Sequence, residues 1–228
     1  KAVCAWETPV WSERFAAIGY TAPAVKGDGR EGGFEWQIPG DPSAVLAYRI
    51  DGDCAMVASA RGAWPQFTTQ TSSSALADSA AFWREWWRDA ARVEIPDADL
   101  QQIYDYGFYR FGAATAGKVP MPLQGAWYED VRLPPWNGDY HFNINVQMCY
   151  SPAFLGNKPE TLRPLFSMIR SWWPKLRENA RQYCGVEDGF MLPHSVDDRG
   201  TTIGGFWMGT IDHGSTAWVA QMMFRYVQ

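Results

Sequence analysis

The change in hydrophobic period near residue 70 most limits the folds open to this chain. Before it, apolar residues come in short runs broken by Gly, Pro and Asp, the mark of strands and turns. "AVLAYRI" (Ala44 to Ile50) and "CAMVASA" (Cys54 to Ala60) flank "DGD", a hairpin-turn signal. "GGFEWQIPGDPS" (Gly32 to Ser43) adds an alternating strand between Gly and Pro punctuation. Two or three strands cannot close a core of their own. Residues 1–70 are therefore expected to be the end of a β-domain whose remainder lies elsewhere.

Beyond residue 70 the spacing turns helical. "SSALADSAAFWREWWRDAARV" (Ser73 to Val93) predicts a helix capped by its serine cluster, with Phe82, Trp83, Trp86 and Trp87 on one broad face. It falls in residues 71–95, read as a linking helix. A second helix is expected over Pro96 to Gly117, with Leu100, Ile103, Tyr104, Phe108 and Phe111 on one side. A third runs from Lys158 to Gly185, with Pro159 in its first turn, Gly185 as its stop and a kink at Pro174. A shorter one, Asn145 to Phe154, is expected to break at Pro152, and Ser215 to Gln228 begins another. The fold class is α+β, mainly α, with no solenoid repeat.

Composition narrows the function. Of 228 residues, 13 are Trp, 10 Tyr and 12 Phe, more rings than packing requires. Rings with an apolar face and a polar edge suit sugars, bases or partner proteins. The net charge of -5 carries no basic stripe, which argues against nucleic acid as a partner and for a neutral polyhydroxylated ligand. The four cysteines are scattered without CxxC spacing, and Cys149 and Cys184 are expected to be free buried thiols. The three histidines are too dispersed for a zinc signature, so neither metal nor cofactor is expected. No apolar run reaches the ~20 residues a membrane span needs. The chain begins with Lys1, and the expectation is of a piece processed or cut from something longer.

The unusual residues sit in two long loops, "VPMPLQGAWYEDVRLPPWNGDYHF" and "VEDGFMLPHSVDDRGTTIGGFWMGTIDHG". Loops of this length are uncommon unless they serve a site. In the first, Trp127 and Trp136 frame Gln124, Asp139, His141, Asn143 and Asn145. If Asn143 and Asn145 lie in extended backbone, both side chains point the same way. Two converging carboxamides can hold a water or a sugar hydroxyl, although an amide is too weak a base to take a proton outright. The alternative is that one asparagine caps a helix and the other satisfies loop backbone. Glu187, Asp188 and Asp212 read as solvated loop acids.

"PLQGAW" (Pro122 to Trp127) followed by "PPWNGDYHFNINVQMCY" (Pro134 to Tyr150) resembles the start of the catalytic barrel of glycoside hydrolase family 95. Leu123, Gln124, Gly125, Trp127, Trp136, Asp139, Tyr140, Asn143, Asn145, Met148 and Tyr150 carry the match, and "PLFSMIRSWWPKLRENARQYCG" resembles the family's next helix. The similarity covers about residues 75 to 228. It implies an inverting exo-glycosidase acting on terminal α-L-fucosides or α-L-galactosides. By position, Asn145 would orient the attacking water with Asn143 beside it, while His141, Trp127, Trp136, Asp139 and Gln124 would line or support the pocket. "LPHSVDDRG" (Leu192 to Gly200) resembles the family's His-containing stretch. It adds His194 and Asp198, although Val196 stands where the family carries threonine.

The resemblance also implies an architecture: the last strands of a β-sandwich, the linking helix, then over residues 96–228 about half of an (α/α)6 barrel. The apolar seam of such a half-barrel has to be covered by the rest of a parent chain or by a second subunit. The catalytic acid and base are expected outside this chain, and the parent is expected to be secreted or periplasmic, with a glycan substrate. Two other readings stay open: a carbohydrate-binding relative without activity, and another barrel enzyme such as a phosphorylase or polysaccharide lyase.

Overall fold

A computed structural model describes residues 13, 16–17, 19–52, 54–68, 71–123, 135–203 and 210–228, with Pro135 and Asn137 described in backbone only. It is α+β and mainly helical, and it divides into two compact units at Trp83/Arg84.

The first unit is built on an antiparallel sheet of β1 (Ala24–Gly27), β2 (Glu31–Trp36), β3 (Ala44–Asp51) and β4 (Cys54–Arg61), in sequence order. The expected hairpin is present: Asp51 pairs with Cys54 and Gly52 has φ +61°, the positive value that a two-residue turn matched to strand twist requires. Strand β1 is additional to the strands expected from sequence. It is four residues long, and its turn is held by the Asp28 carboxylate, which accepts from the N–H groups of Arg30 and Glu31. Those two bonds hold the Asp28 carboxyl below its ordinary range. Val45 and Ala47 of β3 are buried, while β4 alternates half-buried with exposed residues.

Helix α1 (Ser72–Asp89) is capped by Thr71 rather than by the serines alone. The Thr71 hydroxyl accepts from the N–H of Ser74, and Ser74 Oγ accepts from the N–H of Thr71. This reciprocal pair satisfies two otherwise orphaned donors. Of the four rings expected on one face, Trp86 is buried and Phe82 is exposed. Helix α2 (Ala98–Thr115) starts on the Asp97 carboxylate, which accepts from Asp99 and Leu100 N–H, and it ends at Ala116 rather than at Gly117. Its expected apolar face is split: Phe108 and Phe111 are buried, whereas Leu100 and Ile103 are exposed. Within the second unit Trp86 packs on Phe108 (5.3 Å between ring centroids), Phe111 meets Tyr150, and the buried Lys158 ammonium lies 4.9 Å above the Trp86 ring.

Helix α3 (Asn145–Leu155) runs unbroken through Pro152, contrary to expectation. Proline removes the N–H that would bond the Met148 carbonyl four residues back. Ser151 Oγ donates to that carbonyl instead (2.9 Å), so the acceptor stays satisfied. The third expected helix is a 3-10 turn (Pro159–Leu162), α4 (Arg163–Ser171) and α5 (Trp173–Cys184). The chain breaks at Trp172, before Pro174, which fits the first turn of α5, and left-handed Gly185 ends α5 as expected. Helix α6 (Ser215–Val227) closes the described chain.

Cys149 is half-buried, its thiol pushed up by burial, and Cys184 is exposed on the last turn of α5. Both differ from the buried thiols that apolar neighbours in sequence suggested. Cys54, Cys149 and Cys184 are all free. Among the described residues, no helix is long and apolar enough to cross a membrane.

The break at Trp172 turns its indole under two short strands, β5 (Tyr140–His141) and β6 (Ser195–Val196), where it meets Tyr140 and Phe142 edge-on. Phe142, Trp172, Leu192 and Val196 are all buried there. Each contributes about 1.5–3 kcal/mol by leaving water. That packing anchors the two strands on the second unit.

Candidate functional site

Strands β5 and β6 come from the two long loops, and their pairing joins them: Tyr140 faces Val196 and His141 faces Ser195. The Phe142 N–H donates to the His194 carbonyl (2.6 Å), extending the ladder by one bond. Tyr140 Oη donates to the Pro120 carbonyl (2.9 Å), and the Leu123 N–H donates to the Asp139 carbonyl (2.9 Å). Tyr150, whose hydroxyl accepts from Met121 N–H (2.7 Å), has its phenol pushed up by burial. The start of the first loop is therefore held by three hydrogen bonds, two to Asp139 and Tyr140 at its own far end and one to Tyr150 of α3.

The polar side chains on this strap meet in one cluster. Asp139 is buried, with 3% of its side chain accessible. One carboxylate oxygen lies 2.5 Å from His141 Nδ1, and the other accepts from Ser195 Oγ. A buried carboxylate would be costly if left unpaired, and here both oxygens are used. His194 stands edge-to-face with His141, the ring centroids 5.0 Å apart, and its Nδ1 lies 3.6 Å from an Asp212 oxygen. Burial and the neighbouring His141 lower the pKa of His194, while Asp212 and Asp139 oppose that shift. The other Asp212 oxygen accepts from Gly214 and Ser215 N–H at the start of α6. Asp212 is thus a structural partner of His194 and of a helix terminus, not the solvated acid expected. Glu187 and Asp188 are exposed.

The two asparagines are placed differently from the extended arrangement. Residues 142–144 form a turn, and Ile144 has φ -159° and ψ -35°. Asn145 is already the first residue of α3, so strand alternation does not relate its side chain to that of Asn143. Asn143 is exposed and Asn145 half-buried, and neither caps the helix. The turn is held by Gln147, which is buried and donates from Nε2 to the Phe142 carbonyl (2.6 Å).

Trp136 lies across the strap, its ring 5.4 Å from that of His141 and 63% exposed. Its backbone has φ +57°, a left-handed value that costs a non-glycine residue energy. Asp198 is not in the cluster. Its carboxylate is exposed beside Arg199 on the Asp197–Gly200 turn, while its carbonyl accepts from Trp172 Nε1 (3.1 Å). That turn needs Gly200, whose φ is +74° and where a Cβ would sit 2.7 Å from the Trp172 ring. Gln124 and Trp127 lie outside the described residues.

Sequence reasoning missed Ser195 and Gln147. The available signals were modest: a hydroxyl directly after His194, and a glutamine in the first turn of a helix that follows a turn. Among the described residues, no group of three His, Cys, Asp or Glu side chains is placed to hold a metal ion. The cluster can present an oriented imidazole and an aromatic face beside a turn carrying two carboxamides, a combination suited to a sugar ring and its hydroxyls.

Comparison with known proteins decides the family. The model of the glycosyl hydrolase family 95 catalytic domain matches residues 70–228. The chain belongs to glycosyl hydrolase family 95. It is similar to a protein named probable alpha-fucosidase A from Aspergillus niger, 34% identical over 102 residues, which is 44% of this chain and 13% of that protein. Alpha-L-fucosidase 2 from Arabidopsis thaliana is 32% identical over 123 residues, 52% of this chain and 13% of its own length. A probable alpha-fucosidase A from Aspergillus oryzae is 34% identical over 85 residues, covering 36% of this chain and 12% of the relative. The matched part of this family 95 chain thus spans about an eighth of the length of each relative.

Proposed function

We propose that this chain supplies part of the catalytic domain of an inverting, exo-acting glycoside hydrolase that removes a terminal α-L-fucoside or α-L-galactoside from a glycan. The observation that carries the reading is the family match over residues 70–228, which takes in both loops joined by β5 and β6. The names of the relatives support fucosides as the substrate class.

In an inverting reaction one carboxylic acid protonates the leaving oxygen, while a base on the opposite face of the sugar activates a water. In this reading Asn145, with Asn143 beside it, holds that water in line for the anomeric carbon. Asn143 is exposed on the turn after His141 and Asn145 is half-buried at the start of α3, so neither is sealed in the core, which supports the role since a water-holding group has to reach the substrate. Trp136 offers an apolar face to the sugar, and His141 and His194 contact its hydroxyls. Asp139 has both oxygens engaged by His141 and Ser195, and Asp212 is engaged by the α6 N–H groups and lies beside His194. Neither suits the general acid, which is assigned to a carboxyl outside this cluster.

The test is stereochemical. The intact protein is given an aryl α-L-fucoside in an NMR tube and the first anomer released is observed before mutarotation. The β-anomer is expected, and initial release of the α-anomer would exclude inversion.

A further inference from the structure

The His141 ring packs against the rings of Trp136 and His194 but is hydrogen-bonded from one edge only. Nδ1 lies 2.5 Å from Asp139 Oδ1, and among the described residues no hydrogen bond engages Nε2. A carboxylate can only accept, so a bare Nδ1 at this distance would set two lone pairs against each other. A proton on Nδ1 turns the same contact into a charge-assisted hydrogen bond. The second Asp139 oxygen accepts from Ser195 Oγ, across the β5–β6 pairing that sets His141 opposite Ser195. The carboxylate is therefore tied to both strands and cannot rotate away from the imidazole. Only 11% of the His141 side chain is accessible, and with the Nδ1 edge on a buried carboxylate, the opposite edge is the part that can reach a ligand.

We infer that Asp139 is a positioning residue that locks His141 as the Nδ1–H tautomer, so that Nε2 faces the sugar as a hydrogen-bond acceptor for one hydroxyl, with Ser195 fixing the carboxylate. The partner of the imidazole is then a hydroxyl hydrogen. An acceptor group on the ligand, such as a carbonyl or a sugar carboxylate, would meet the Nε2 lone pair and be disfavoured. The choice of a neutral hydroxylated sugar over a uronate is thus partly built into a residue that never touches substrate. The locking stands on the geometry alone, whereas its consequence for substrate rests on the proposed hydrolase activity.

Two readouts keep those parts separate. The first is the 15N–1H long-range correlation spectrum of the full-length protein labelled with 15N-histidine, taken above the ordinary histidine range, with His141→Gln identifying the signals. Wild type is expected to show a single Nδ1–H tautomer at His141. Asp139→Asn, nearly identical in shape, is expected to lose that preference, while Ser195→Ala keeps it. An Nε2–H tautomer, or exchange between the two forms, in wild type overturns the locking, and this arm needs no substrate. The second readout is kcat/KM on an aryl α-L-fucoside, expected to fall about 10- to 100-fold in Asp139→Asn, by analogy with the loss of a partner that orients a metal-bound histidine. A changed tautomer with unchanged kcat/KM overturns the role in substrate recognition. If Asp139→Asn does not fold, the wild-type spectrum still decides the locking. In that case kcat/KM of His141→Gln decides the role, which fails if that rate equals the wild-type value.

Discussion

The strap of β5 and β6 and the turn after His141 are neighbours in sequence and opposites in construction. On the strap, Asp139, His141 and Ser195 are buried and tied to one another across the strands, with Phe142 and Trp172 packed beneath. On the turn, Asn143 is exposed and Asn145, the first residue of α3, is half-buried, and the backbone beside them is held by Gln147. The difference teaches a division of labour. Polar groups that must not move are buried and paired, because an unpaired buried polar group is costly. In the proposed reading, the polar groups that exchange partners with water and substrate are left partly or fully accessible on a braced backbone.

That contrast can be broken most severely at Asp139. Asp139→Ala leaves the buried His141 and Ser195 donors without their acceptor and should cost about 3 kcal/mol or more of unfolding free energy in urea titrations. A loss below ~1 kcal/mol would place the carboxylate outside the structural frame. Trp136 should behave in the opposite sense. Its ring is mostly exposed while its backbone is left-handed, so Trp136→Gly should stabilise the fold by about 1 kcal/mol as it weakens substrate binding. A parallel loss of stability and binding would make Trp136 a packing residue.

The smallest expected effect is on pH dependence. The pKa of His194 is lower in the folded protein than in the unfolded chain, so the unfolded state takes up its proton first as pH falls. Its contribution to stability is therefore intact above the unfolded value of about 6.5 and is lost as pH drops through it towards the folded value. Melting temperatures measured between neutral and mildly acidic pH should decline less steeply in His194→Gln than in wild type. A steeper decline in the variant would contradict the sign.

How much of this is legible in the sequence depends on the range of the forces involved. The β3–β4 hairpin and the Gly185 stop are set by local φ requirements, and residues a few positions apart reveal them. The serine cluster marks the start of α1, although the cap itself is Thr71 paired with Ser74. The two long loops stand out through their rings, amides and histidines. Their meeting at β5 and β6 does not, because two-residue strands separated by more than fifty positions leave no periodicity. Ser195 acquires its meaning only through that pairing. The extended geometry expected for Asn143 and Asn145 fails because Gln147 folds the chain into a turn that starts α3 at Asn145 itself. Pro152 misleads for a similar reason, since the compensating Ser151 hydroxyl depends on a helix already being formed.

The most direct test of a braced frame carrying a reactive turn is Asn145→Ala in the intact protein, with kcat on an aryl α-L-fucoside and unfolding free energy measured on the same preparation. The account predicts a loss in kcat of about 100-fold, or ~2.7 kcal/mol of transition-state stabilisation. Unfolding free energy should stay within ~1 kcal/mol of wild type, since Asn145 is half-buried and caps no helix. Undiminished turnover in a folded variant would contradict it and remove the asparagine from the reaction.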